Sequence, residues 1–174
     1  MDSITYSPEI QLIPITEGDL PFLAKVYAST RIDEMALTGW TEDQVNEFIG
    51  MQFDFQHQYY MAHFDTASFD KIMYEDKEAG RIYVDRRENE IRIIDIALLP
   101  EFRRKGIGKK LLHCIMEEAA QINQSVTIHV EHFNSAIRFY DKLGFRMIRD
   151  DGGYFLMEWS PYSEHALEKS GEQQ

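Results

Sequence analysis

Apolar and polar positions change period several times along the chain, and each change marks an element. Ile10 to Ile15 alternate as a half-buried strand does. Thr16 follows as a helix N-cap with Asp19 at the capping-box spacing, and a helix then carries Leu20, Leu23, Ala24 and Tyr27 on one stripe. Thr41 and Gln44 repeat that signal and open a longer helix, in which Val45, Phe48, Ile49, Gln52, Phe55, Tyr59 and Tyr60 recur at helical spacing to about His63. The period then shortens. Phe69 to Tyr74 and Arg81 to Asp85 read as strands joined by a turn at Asp76-Lys77-Glu78-Ala79-Gly80. After Arg86 to Asn89 a third strand runs from Glu90 to Leu98, and Pro100, which has no N–H to give a ladder, ends it.

From Gly106 the stripe Ile107, Leu111, Leu112, Ile115, Ala119 and Ile122 is helical again. Ser125 to Glu131 reads as a strand, Asn134 to Leu143 as a short helix broken by Gly144, and Phe145 to Ile148 and Tyr154 to Trp159 as two more strands. The order β-α-α-β-β-β-α-β-α-β-β, a meander followed by a β-α-β unit, predicts an α/β (α+β) fold. Its sheet is mixed and mainly antiparallel, of six to seven strands, with helices on both faces. With no repeat or Pro/Gly-rich linker, 174 residues are expected to form a single domain over 1–160 with a polar tail over 161–174.

Composition narrows the function classes. Hydrophobic residues make up 44% and charged residues 28%, a globular balance. No apolar run approaches the roughly 20 residues that span a bilayer, and Met1-Asp2-Ser3-Ile4-Thr5 lacks the basic and apolar regions of a secretory signal. These points predict a cytoplasmic protein without a membrane partner. Cys114 is the one cysteine and stands in no metal-ligand spacing, and His57 and His63 are not spaced for one helix face, so no metal site is expected. A net charge of −12 argues against nucleic acid. The charge is not uniform, however. Five of the 18 basic residues, Arg103, Arg104, Lys105, Lys109 and Lys110, fall within eight positions, with Glu101 the one acidic residue nearby. Such a patch in an acidic chain points to an anionic ligand at that place.

The patch coincides with Arg103-x-x-Gly106-x-Gly108, set between a strand and a helix. The first N–H groups of a helix have no partner within it, and the helix dipole adds partial positive charge. Glycines let a diphosphate approach the backbone, and Arg and Lys add charged hydrogen bonds. A dinucleotide fold is excluded, because its third glycine position is Leu111 and a meander precedes the motif.

The stretch Asp95 to Leu112, with Arg-Arg-Lys-Gly-Ile-Gly at Arg103, Arg104, Lys105, Gly106, Ile107 and Gly108, resembles the acetyl-CoA motif Q/R-x-x-G-x-G/A of the GNAT superfamily of N-acetyltransferases. Asn134 to Phe145, with Tyr140 and Gly144-Phe145, is similar to that family's second signature, in the right order and at the right separation. The resemblance is strong from Asp95 to Phe145 and only topological before it.

It implies an acyl-CoA N-acyltransferase-like fold and acetyl-CoA as co-substrate. The strand before the loop would splay from its neighbour and bond the pantetheine arm through Ile96, Ala97 and Leu98. Arg103 to Lys109 would hold the pyrophosphate, Asn134 would touch the cofactor arm, and Tyr140 would protonate the departing thiolate. The step from Asn134 to Tyr140 is six positions, one fewer than in many members, a departure that bears on Asn134 more than on Tyr140.

Acetyl transfer to an amine needs a base and no covalent intermediate, so Cys114 is read as a buried helix residue. The candidates for that base are His129, Glu131 and Asp95, of which His129 and Glu131 share one face of their strand. Anchored on Asn134, His129 falls where ribosomal-protein N-terminal acetyltransferases of the superfamily carry a glutamate base, and an imidazole suits proton removal at neutral pH. Asp95 falls where relatives that acetylate polyamines hold an acidic substrate-binding residue.

The aromatic helix before the meander, with Phe48, Phe53, Phe55, Tyr59 and Tyr60, lies where the superfamily walls its acceptor site. The expected partner is thus a small-molecule or peptide amine, whose identity the sequence leaves open. It also leaves open the oligomeric state, a homodimer included. A catalytically silent acyl-CoA-binding module and a transferase of another acyl group are the alternative readings.

Overall fold

Both predicted capping signals are realised, and they set the first two helices. In the computed structural model, which describes residues 4–5 and 7–162, the Thr16 N–H donates to the Asp19 carboxylate at 2.9 Å. A single 3₁₀ turn over Glu17–Asp19 leads into α1, Leu20–Ala36. Thr41 and Gln44 close a complete capping box at the start of α2, Glu42–His63, each side chain meeting the other's N–H, at 3.3 and 3.0 Å.

The described residues fall into two units by their contacts: one up to residue 83 together with 96–108, the other 84–95 together with 109 onward. In the N-terminal unit the strands are β1 (Ile4–Thr5), β2 (Ile10–Pro14), β3 (Ser68–Tyr74) and the first part of β4 (Lys77–Arg86). The end of β5 (Glu90–Leu98) completes the order β1-β2-β3-β4-β5. β1 and β2 pair antiparallel, as do β2 and β3. Leu23, Tyr27, Ile49 and Phe53 form the core where α1 meets α2.

The C-terminal unit takes the other parts of β4 and β5, followed by β6 (Ser125–Glu131), β8 (Tyr154–Trp159) and β7 (Arg146–Asp150), in the order β4-β5-β6-β8-β7. β5 and β6 are parallel, and β8 is antiparallel to both β6 and β7. A parallel pair needs a crossover, and α3 (Ile107–Gln121) lies between the two strands in sequence. Leu111, Leu112, Ile115, Met116 and Ala119 are its buried face. α4 (Ala136–Lys142) ends at Gly144, whose φ of 100° suits a left-handed cap. The mixed, mainly antiparallel sheet of the expected fold is therefore present, with seven strands of five residues or more and the two-residue β1 besides.

Some boundaries differ from the sequence reading. The turn expected over Asp76–Gly80 is confined to Glu75-Asp76, and β4 begins at Lys77. Both turn residues have positive φ, 48° and 64°, the geometry of a two-residue hairpin turn that usually carries Asn-Gly. Glu-Asp hid it. Ile122 was expected on the buried stripe, but α3 ends at Gln121 and Ile122 is 53% exposed. The expected polar tail lies, from 163 on, outside the described residues. No described helix is long and apolar enough to cross a membrane.

Candidate active site

Each unit holds part of the expected set: Ile96 to Gly108 in the first, Asp95, Lys109, His129, Glu131, Asn134 and Tyr140 in the second. In the first unit the end of β5 loses its in-out alternation, and Ile96, Ala97 and Leu98 are all half-buried. Gly80 of β4 lies against them, and the Leu99 N–H donates to the Ala79 carbonyl at 2.8 Å. A 3₁₀ turn over Pro100–Phe102, fixed by buried Phe102, then delivers the motif.

The backbone turns left-handed at two places there. Arg103 is extended, Arg104 has φ 60°, Gly106 has φ 79°, and α3 starts at buried Ile107. Alternation of this kind turns successive N–H groups toward one side and makes a concavity suited to an anion. No described residue accepts from the N–H of Arg104, Lys105 or Gly106. Nothing lies within 4 Å of where a Gly106 Cβ would stand. Arg104 is a non-glycine residue at positive φ, as are Glu75 and Asp76 of the hairpin turn, a conformation that costs an L-residue about 1–2 kcal/mol.

The basic side chains divide. Arg103 turns back on its own strand, where its Nε–H donates to the Leu98 carbonyl at 2.9 Å, and its Nη2 lies 3.4 Å from Ser29 Oγ. The Lys105 ammonium stands 5.7 Å from the centre of the Tyr74 ring, a cation–π contact. Arg104, and Lys109 on the first turn of α3, are exposed.

In the second unit, β5 and β6 are in register from Glu90↔Ser125 to Ile93↔Ile128, whereas β5 runs on to Leu98 and β6 to Glu131. The registered pairing thus stops before Asp95 and His129. Tyr140 of α4 is buried to 5% exposure, and no described residue hydrogen-bonds its hydroxyl. Burial pushes its pKa well up, and the Asp95 carboxylate adds to the shift, so the phenol stays protonated at any physiological pH. Asn134 is exposed, and its Oδ1 accepts from the Ala136 N–H at 2.8 Å at the entrance to α4.

His129 is the centre of a polar chain. Its Nδ1 lies 3.1 Å from Arg92 Nη1 and its Nε2 lies 2.9 Å from Asp151 Oδ2. Arg92 is held by Thr127 Oγ1 at 2.8 Å and Glu90 Oε1 at 3.2 Å, and Asp151 is gripped by Arg149. Burial draws the Arg92 pKa down, against the pull of Glu90. Arg149 first and His129 second hold the Asp151 carboxyl down to about 2. A second pair, His132 Nε2 with Asp150 Oδ1 at 2.8 Å, ties the same β7–β8 turn. Glu131, two positions on from His129, is half-buried.

Arg92, Thr127 and Asp151 escaped the sequence reading. Arg92 and Thr127 sit at ordinary strand positions, and Asp151 in Asp-Asp-Gly-Gly reads as turn chemistry alone. On α2, Phe53 is buried in the core while Phe55 and Tyr59 are 69% and 53% exposed. Near Phe53, Arg81 is buried to 2% exposure, donates to Gln56 Oε1 at 2.8 Å and lies over the Tyr27 and Tyr83 rings at 5.9 and 5.1 Å.

The sequence model of the acetyltransferase (GNAT) domain matches residues 56–147. Among curated relatives, the chain is 35% identical over 92 residues to N-alpha-acetyltransferase 50 of Danio rerio, covering 50% of this chain and 54% of that one. It is 33% identical over 92 residues to the probable N-acetyltransferase san of Drosophila melanogaster, covering half of each. The chain thus spans about half the length of the curated relatives it matches. A solved structure of the PaiA N-acetyltransferase of Thermoplasma acidophilum with coenzyme A is similar in fold, with a TM-score of 0.66 at 22% identity over 87% of this chain and 98% of that one. A ribosomal L7/L12 alpha-N-protein acetyltransferase with coenzyme A matches with a TM-score of 0.57 at 15% identity, over 90% and 95%.

Proposed function

The chain belongs to the acetyltransferase (GNAT) family, and from that membership we propose that it transfers the acetyl group of acetyl-CoA to a primary amine. The observation that carries the donor half is the loop of alternating hand at the start of α3. Arg104 at φ 60° and Gly106 at φ 79° leave their N–H groups without a described acceptor, in an open, basic concavity. The residues present therefore fit a diphosphate, with Arg104 and Lys109 adding charge from exposed positions. Ile96 and Leu98 offer backbone groups to the pantetheine arm.

Transfer is by direct attack in a ternary complex. The neutral amine nitrogen forms a bond to the thioester carbonyl carbon, and the carbon–sulfur bond breaks. Tyr140 gives its phenolic proton to the departing sulfur; burial and Asp95 ensure that the proton is present beforehand. Asp95 holds the cationic end of the amine, and His129 takes the amine proton on Nδ1 once that nitrogen exchanges the Arg92 N–H for it. Glu131, half-buried on the same strand, is the substitute base. Asn134 has its carbonyl oxygen committed to the Ala136 N–H, which leaves its amide N–H groups for the cofactor arm.

Thiol release from acetyl-CoA, measured with a panel of peptides, polyamines and small amines, tests the reading. Release stimulated by one acceptor class, with mass spectrometry of the product, supports it and names the acceptor. Coenzyme A binding with no acceptor-stimulated release would instead make the chain an acyl-CoA-binding module. Stronger competition by a longer acyl-CoA would change the donor.

A further inference from the structure

We infer that Gly80 and Arg103 are positioning residues that together set the end of β5 for the donor, with Arg103 acting as a strut rather than as a phosphate ligand. The inference rests on the donor reading above. Gly80 is a strand residue whose φ lies outside the left-handed range, so its backbone would accept an alanine. Space forbids one. A Cβ at position 80 would stand 2.1 Å from the Ala97 carbonyl oxygen and 3.0 Å from Leu98 Cα, both backbone atoms. Flexible side chains give way cheaply, whereas backbone does not, so any side chain here displaces the strand.

That strand end is the segment assigned above to the pantetheine arm. Its next carbonyl, of Leu98, receives the Arg103 Nε–H at 2.9 Å, and the same guanidinium reaches Ser29 Oγ of α1 at 3.4 Å. Arg103 thereby fixes the first residue of the loop to the last residue of the strand. Arg104 and Gly106, which supply the positive φ values, follow within three positions. The missing side chain on β4 and the guanidinium on the loop bracket Ala97-Leu98 from two directions. The charge of Arg103 is spent on a carbonyl and a hydroxyl, so hydrogen-bonding capacity, rather than charge, is what the position requires.

Calorimetric titration with coenzyme A on the full chain separates the cases, with steady-state kinetics alongside. Wild-type protein that fails to bind coenzyme A refutes the donor reading itself. Given wild-type binding, Gly80→Ala is expected to weaken coenzyme A at least tenfold and raise the KM for acetyl-CoA in step, with the amine KM within twofold. A folded Gly80→Ala protein of wild-type affinity overturns the inference. Should Gly80→Ala not fold, the exposed Arg103 decides. Arg103→Gln retains a donor for the Leu98 carbonyl without the charge, and is expected to bind coenzyme A at least fivefold more tightly than Arg103→Met. Equal loss in both variants overturns the strut and makes Arg103 a charge contact.

Discussion

His129 Nε2 lies 2.9 Å from Asp151 Oδ2 while its Nδ1 lies 3.1 Å from Arg92 Nη1. A guanidinium can only donate, so Nδ1 accepts, and the proton of the neutral ring sits on Nε2, facing the carboxylate. Two side chains outside both sequence signatures thus choose the tautomer of the candidate base. Asp151→Asn removes the negative charge but keeps the shape. The ring then loses the carboxylate that fixes its proton on Nε2, so kcat/KM is expected to fall while the chain stays folded. Nitrogen-15 shifts of the ring would show a mixed tautomer. Unchanged shifts and an unchanged kcat/KM would remove Asp151 from this role.

The same carboxylate makes the β7–β8 turn sensitive to acid. Its pKa in the folded chain, about 2, is below the ordinary carboxylate value, so its contribution to holding the turn is present above about pH 4 and fades as the pH falls through 2. Arg149 is the larger cause and His129 the second. Titration of the Asp151 carboxyl carbon by NMR is expected to give a midpoint near 2 in the native protein, rising toward 4 in Arg149→Ala. A midpoint near 4 in the native protein would mean the clasp is not populated in solution.

Tyr140→Phe removes one oxygen from a ring that is otherwise buried, so packing is nearly kept. If the phenol protonates the leaving sulfur, kcat is expected to fall about 10²-fold or more, with coenzyme A affinity within twofold. The raised pKa supplies a second readout. Burial and then Asp95 disfavour the phenolate, so this tyrosine contributes stability up to about pH 10 and loses it only as the pH climbs through its folded value. An ultraviolet titration of the native protein should leave Tyr140 among the tyrosines silent near pH 10, and Tyr140→Phe should lower the number of silent groups by one. Wild-type turnover in the variant would end the assignment.

Elements with strong local signals were legible in the sequence. Thr41 and Gln44 form the capping box their spacing implied, and Arg103 to Gly108 lies at a strand–helix junction, as its glycines required. What escaped depends on contacts distant in sequence. Asp151 meets His129 across 22 positions, and Arg92 meets it across 37. Gly80 was read as turn punctuation because the strand that excludes its side chain arrives 17 residues later. Asn134 illustrates a third case. Its type and place fit the family signature, yet its Oδ1 accepts from the Ala136 N–H two positions on, a local turn bond that any Asn at the entrance to α4 could make.

Gly106 and Gly152 form a matched pair that isolates the donor loop. Both have positive φ, 79° and 91°, and neither would meet an atom within 4 Å if given a Cβ. The cost of a side chain is therefore conformational at both, about 1–2 kcal/mol for an L-residue held left-handed, and greater for a β-branched one. Only Gly106 lies in the loop that precedes α3. Gly106→Val is expected to relax the loop out of its alternating hand and disperse the N–H groups of Arg104 to Gly106. Coenzyme A affinity should then fall at least tenfold, about 1.4 kcal/mol. Gly152→Val should cost comparable stability, measured as Tm, and leave that affinity within twofold. Equal affinity in both variants would mean that strain, and not the cradle, is what Gly106 relieves, and the diphosphate would have to be held elsewhere.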